Sequence, residues 1–300
     1  RRAVRGYREL LAETTRSSPL DVHYFRIDIE ALLQEDEQLR KRSRKAIAKA
    51  TRKDSVRALD KLTEVVDGQR RIVTVPPLIV PLERRLPEDH IAAVEALFDE
   101  YRASLPPHRA AVLDRYRLVD VAHKVVGVGS VGTRCLIVLL TTGDDEPLFL
   151  QFKEATTSVL EPHLGASTFE FSGERVVQGQ RLMQSASDVF LGWAQFDSVA
   201  AGRRVDFYFR QLWDGKGSAD IDAMGGKRLR TYSGLCGATL ALAHGRTGDA
   251  AAIAGYLGDD DTFDRAIGTF AMAYADLDEH DHAAHLAAID DGRIDAVRDI

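Results

Sequence analysis

Three glycines, Gly127, Gly129 and Gly132, stand in G-x-G-x-x-G spacing, with Ser130 among the residues between them, inside the stretch VVGVGSVGTRCLIVLL. Glycine serves where φ must be positive and where backbone has to approach a ligand closely, so the stretch reads as a phosphate-cradling loop or as a tight hairpin. In a dinucleotide-binding fold this motif ends a strand and opens a helix. Here an apolar, β-branched run follows it. Strand, glycine loop, strand is the arrangement of the kinase-type loop, whose backbone N–H groups lie over nucleotide phosphates. The loop alone does not decide between the two readings.

A lysine further on adds weight to the first. In PLFLQFKEA, strict alternation places Leu148, Leu150 and Phe152 on one sheet face and Phe149, Gln151 and Lys153 on the other. A lysine late on that strand can donate charge-assisted hydrogen bonds to phosphate oxygens under the loop. The competing reading is an edge lysine that blocks strand addition. Such a lysine needs a carboxylate to hold it, and the next helix, expected over roughly Glu170 to Ala186, offers Glu170, Glu174 and Gln178 at four-residue spacing on one face. Glu174 is the expected partner and Glu170 the second choice. Glu154 neighbours Lys153 on the strand, so its side chain points to the opposite face.

These residues need a scaffold, and the 300-residue chain, 45% apolar and 29% charged, can bury a sizeable core as one large domain or two smaller ones. A formal charge of -6 gives no global reason to expect nucleic acid or an anionic membrane as partner. No apolar run approaches the ~18 residues of a membrane span, and Cys135 and Cys236 stand apart, so the expectation is a cytoplasmic protein with reduced thiols. The chain opens RRAVRGYREL without an initiator methionine, so residue 1 is expected to lie inside a longer protein.

Along the chain, periodicity predicts a helix from Ala3 to about Thr15 and a charged segment from Glu35 to Arg71 read as one or two helices. The proline-rich VTVPPLIVPLERRLPED reads as an extended connector, and residues 88 to 104 as an amphipathic helix. LVDVAHKVVGV, TRCLIVLLT and LFLQFKEA are strand-like, as are FLGWAQF and RVDFYFRQLW after the helix that carries Glu174. From about Gly225 the chain is again helical. The organisation expected is a helical segment with connector over 1–109, a β-rich region over 110–215 and a helical region over 216–300.

Six ordered stretches, VVGVGSVGTRCLIVLL, PLFLQFKEA, GERVVQGQRLMQSASDVFLGW, FYFRQLWDGKGS, CGATLALAHGRTGD and IAGYLG, resemble the bacterial domain-of-unknown-function family 2252 from about residue 3 to residue 290. That resemblance implies an α+β, protein-kinase-like two-lobe fold, circularly permuted, with an antiparallel nucleotide lobe over 110–215 and a helical lobe made from both flanks. It implies a kinase-like, ATP-dependent phosphotransferase of unassigned acceptor. Gly127, Gly129, Ser130 and Gly132 would cover the phosphates of ATP, Lys153 would contact them, Glu174 would position Lys153, and magnesium would offset the phosphate charge. The family's GDxHxxNFG-like and DxNDFDE-like stretches, similar to the catalytic loop and metal-binding segment of small-molecule kinases, do not occur in this sequence. The catalytic aspartate is therefore expected upstream of this chain, no metal ligand is assigned, and these residues alone are expected to be inactive.

Two rival readings stay open: a non-catalytic, pseudokinase-like nucleotide-binding scaffold, and a nucleic-acid-binding protein using the basic run Arg40 to Arg57. The run lacks interleaved aromatics, which favours a solvated helix and counts against nucleic acid as a partner. Arg210, Asp214 and Lys216 are expected near the mouth of the cleft or in a charged turn. His280, His282 and His285 sit on a polar helix and lack the fixed frame of a metal site. His244, at a helix end, reads as a structural hydrogen-bonding residue.

Overall fold

The computed structural model of the chain describes residues 1–26, 55–82, 88–127, 132–198, 202–212 and 219–297. Among them are α1 (Arg2–Thr14), α2 (Pro19–Tyr24), α3 (Ser55–Leu62), β1 (Thr63–Val66), β2 (Gln69–Ile72), β3 (Ile79–Pro81), α4 (Glu88–Ser104) and α5 (Pro107–Leu113). There follow β4 (Arg117–Lys124), β5 (Cys135–Thr141), β6 (Pro147–Ala155), α6 (Glu161–Leu164), α7 (Ser172–Met183), β7 (Gly192–Ser198) and β8 (Arg203–Gln211). The chain then runs through α8 (Gly226–Thr247), α9 (Ala250–Leu257) and α10 (Thr262–Asp290). It divides into two compact units, one β-rich over 29–181 and 186–218, the other helical over 1–28, 182–185 and 219–300.

The β-rich unit is built on a six-stranded antiparallel sheet of order β3-β4-β5-β6-β8-β7. Strand β5 is buried along its whole length because both faces of the sheet are covered there, which is why CLIVLLT is a continuous apolar run rather than an alternating one. One face is closed by α4 and α5: Leu136, Val138, Leu148, Leu150, Phe152, Phe207 and Phe209 pack with Leu97, Tyr101, Leu105 and Leu113. The Phe209 ring is stacked on Tyr101 at a centroid distance of 4.1 Å and on Phe152 at 4.9 Å. The Tyr101 hydroxyl, buried at the centre, donates to the Phe190 carbonyl at 2.7 Å, and burial pushes its pKa well above the phenolic range. On the other face, Ala122, Ile137, Leu139, Phe149 and Leu212 pack under Ala58 and Leu62 of α3 and Ile72 of β2.

The five strands expected from the sequence are β4 to β8, and the first helix runs over Arg2–Thr14 as its periodicity predicts. The charged segment behaves differently. Its described part forms a helix only at Ser55–Leu62, and Thr63–Ile72, expected as helix, is the β1–β2 hairpin. Asp67 and Gly68 form its two-residue turn at φ 53° and 75°, the backbone that type I′ hairpins require. The proline-rich connector contributes Ile79–Pro81 as the sheet's edge strand, where Pro81 opposes no missing ladder donor. As a result, the described residues from 55 to 109 lie in the β-rich unit, whereas 1–109 was expected to lie with the helices.

In the helical unit α1 packs against α8 around Leu11, Ala241 and Leu257. Asp264, its side chain 2% exposed, accepts from Arg8 Nε and Nη2 at 3.1 and 3.2 Å, and this pairing holds its carboxyl below the usual range. His244 Nδ1 lies 2.8 Å from the Tyr7 hydroxyl, a structural contact between α8 and α1. No helix among the described residues is long and apolar enough to cross a membrane.

Candidate functional site

Strands β4 and β5 are antiparallel neighbours, and the glycine stretch joins them. Gly127 and Gly132 have φ of 144° and 79°, values that side-chain-bearing residues rarely adopt, while a Cβ at either would meet nothing within 4 Å. Backbone conformation, and not crowding, is therefore what requires glycine at these two positions. Gly129 and Ser130 lie outside the described residues. A 350 Å³ cavity opens at this end of the sheet, with Gly127, Gly132, Thr133, Cys135, His123 and Lys124 in its wall. Burial, with Arg134 nearby, pushes the pKa of His123 down and favours its neutral form.

Cross-strand partners share a face, so the ladder register fixes what surrounds Lys153. Lys153 is opposite Cys135 on β5 and opposite Tyr208 on β8, and Tyr208 is opposite Trp193 on β7. The next row inward is Ile137, Gln151 and Arg210. This half of the face is polar, and it continues directly into the apolar patch of Phe149 and Leu139. Gln151 is buried and its Nε2 lies 3.5 Å from Cys135 Sγ. Burial pushes the Cys135 thiol up, opposed by the positive charges of Lys153, Lys124 and Arg210, which all act on that sulfur. Burial likewise raises the Tyr208 phenol. Three cations thus converge on the sheet face next to the glycine loop. Arg210 Nε is buried without a hydrogen-bond partner among the described residues.

Helix α7 lies across this face at the β8 and β7 side. The Ser172 N–H donates to Asp206 Oδ2 at 2.6 Å, so a carboxylate from β8 satisfies one of the free donors of the helix start. A Cβ on Gly173 would stand 2.3 Å from the Phe207 carbonyl oxygen and 3.2 Å from Trp193 Cβ, so only glycine permits this approach. Val177 is fully buried one turn later, and Arg181 lies over the Trp193 ring at 5.6 Å. Near the lysine strand, Arg175 Nη2 donates to the Thr156 carbonyl at 2.6 Å.

Glu174 is half-buried in the first turn of α7, and among the described residues no ion pair joins it to Lys153. Glu170 precedes the helix, which begins at Ser172 where Asp206 caps it; it therefore does not share the helical face expected with Glu174. Glu154 is committed to the opposite side. Its side chain, 5% exposed, takes Arg134 Nη1 at 3.1 Å and Arg203 Nη2 at 3.2 Å.

Residues 1–288 match the family described as "Uncharacterized protein conserved in bacteria (DUF2252)". The chain belongs to the DUF2252 family. No curated protein and no solved structure matches it. The match takes in both units of this DUF2252 chain, the described glycines, Lys153 and Glu174 among its residues.

Tyr208 and Lys124 were not singled out from the sequence, and Gln151 and Cys135 were named there only as a residue on the Lys153 face and as a reduced thiol. Alternation in FYFRQ already separates Tyr208 and Arg210 from Phe207 and Phe209, but the register that brings β8 beside β6 joins residues more than 50 apart and leaves no local trace. Asp214 and Lys216, and the basic run from Arg40 to Lys53, lie outside the described residues. His280, His282 and His285 are exposed on α10, and no group of three metal-ligating side chains is found among the described residues.

Proposed function

We propose that this chain carries the nucleotide lobe of a cytoplasmic, kinase-like, ATP-dependent phosphotransferase. Its acceptor is unassigned. The observation that carries the reading is the row Cys135, Lys153, Tyr208, which sets the lysine on the sheet face next to the glycine loop. Kinase-type sites use a glycine loop between two strands, a lysine on the following strand and a glutamate on the helix after it, and Gly127 to Gly132, Lys153 and Glu174 follow that order.

The charge set also suits the ligand. A triphosphate needs several cationic donors, and Lys124, Lys153 and Arg210 supply three positive charges around one thiol. In this reading Gly127, Gly129, Ser130 and Gly132 offer backbone N–H groups to the phosphates, and Lys153 holds a phosphate oxygen. Glu174 meets Lys153 after a small movement of α7. The polar face beside Gln151 and Tyr208 takes the rest of the nucleotide. Magnesium, which this class of reaction uses, would offset phosphate charge, and no group of three metal-ligating side chains is found among the described residues. The two-lobe, permuted arrangement with a catalytic aspartate upstream belongs to the same proposal.

Calorimetric titration with ATP tests it. ATP should bind, adenosine should bind much more weakly, and Lys153→Ala should weaken ATP by about tenfold to a hundredfold, the value of a charge-assisted contact of roughly 1.5 to 3 kcal/mol. Equal affinity of wild type and Lys153→Ala for ATP would remove the basis of the reading. Transfer of the γ-phosphoryl to water or to an acceptor separates an enzyme from a binding scaffold.

A further inference from the structure

At the opposite end of the sheet from the glycine loop, about 20 Å along the strands, lies a cavity of 560 Å³ between the β1–β2 hairpin and the start of β4. Its wall holds Arg70, Arg71 and Arg117 against a single carboxylate, Asp145, with Val65 and Val119 as apolar lining. The hairpin is pinned over the sheet at a β-bulge. Leu118 opposes Leu140 and Asp120 opposes Leu139, which leaves Val119 as the extra residue. Its carbonyl accepts from Arg71 Nη1 at 3.1 Å, and Asp120 Oδ2 accepts from the Ile72 N–H at 2.9 Å. Bulges re-aim side chains and recur beside binding sites.

Arg71 thus serves the fold, and the other two arginines have little to do within it. Among the described residues the Arg70 side chain makes one bond, from Nη1 to Thr63 Oγ1 at 3.1 Å, and Arg117 has only Asp145 at 3.8 Å, a pair in which both side chains are largely in solvent. A guanidinium has five donors, so most of those on Arg70 and Arg117 are free for a ligand. Val65, 64% exposed, adds apolar surface that water solvates poorly. The volume falls in the range of about 300 to 1,000 Å³ typical of small-molecule sites, which favours a compact ligand over a nucleic acid lying on a surface.

We infer that this groove binds a small molecule carrying a phosphate or carboxylate group on an apolar body, with Arg70 and Arg117 clamping the anion and Val65 and Val119 against the body. The site is separate from Lys153 and does not rest on the nucleotide reading. Guanidinium forks match both anions, so the probe must distinguish them.

The test is calorimetric titration of the full chain with phenyl phosphate and with benzoate at low salt. One of the two should bind at one site per chain, and the better of them assigns the anion. Arg70→Ala/Arg117→Ala should weaken that binding by on the order of tenfold or more with no change in Tm, since both side chains are peripheral to the core. Arg117→Ala alone should weaken it by a smaller factor, and Lys153→Ala should leave it unchanged. Failure of both probes to bind wild type overturns the inference, as does unchanged binding by the double variant. So does tight binding of a single-stranded oligonucleotide lost in the double variant while neither small anion binds, because the arginines would then form a nucleic-acid surface.

Discussion

The two faces of strand β6 share one backbone and do opposite things. Phe152 points into a closed aromatic stack with Phe209, while Lys153, one residue later, points to a face on which apolar packing ends and polar groups begin. On the closed face even the charged residue is used up by the fold, since Glu154 is held by Arg134 and Arg203. On the other face Lys153 makes no ion pair among the described residues, and Cys135, Gln151, Tyr208 and Arg210 surround it. The difference separates a scaffold from a candidate site at a spacing of one residue.

The largest effect should come from opening the closed face. Phe209→Ala removes a ring held between Tyr101 and Phe152 and should cost about 3 to 5 kcal/mol in urea unfolding. A loss under ~1 kcal/mol would mean that the aromatic stack is not the core of the unit. Glu154→Ala should cost less, about 1 to 2 kcal/mol, because Arg134 and Arg203 both reach solvent and can be rehydrated once their acceptor is gone. Its effect should be visible in Tm and absent from ligand binding.

A smaller effect sharpens the comparison chemically. Cys236 is exposed and Cys135 is buried within the polar row with its thiol pushed up by burial, so iodoacetamide at neutral pH should modify Cys236 first. The sign follows from the direction of the shift: a raised thiol pKa delays thiolate formation, so the Cys135 rate should keep climbing with pH past about 8.5, where an ordinary thiol levels off. Equal rates for the two cysteines at neutral pH would show the row to be open to solvent.

Much of this division was legible in PLFLQFKEA, because a period of two assigns faces without any knowledge of partners. The same rule gave the strands on either side of the glycine loop and the pair after α7. What it could not supply was the order of strands, in which β8 inserts between β6 and β7 and brings Tyr208 and Arg210 beside Lys153. The hairpin at Thr63–Ile72 was missed for a different reason. Its strands, TEVV and QRRI, are four residues each and close a segment rich in lysine and arginine, so charge suggested a solvated helix, although Asp67-Gly68 directly after the β-branched pair Val65-Val66 carried the turn signal. The start of α7 was placed two residues early because its cap, Asp206, comes from a strand 34 residues away.

The central claim is that adjacent residues on β6 separate binding from stability, and a pair of thermal-shift measurements on Lys153→Ala and Glu154→Ala tests it most directly. With ATP at about a hundredfold its Kd, wild type should gain ~2.7 kcal/mol, on the order of a 5 °C rise in Tm. Lys153→Ala should start from a Tm close to wild type and lose most of that rise. Glu154→Ala should start lower and keep the rise in full. A wild-type Tm that ignores ATP, or a Lys153→Ala protein that responds to ATP as fully as wild type, would contradict the account.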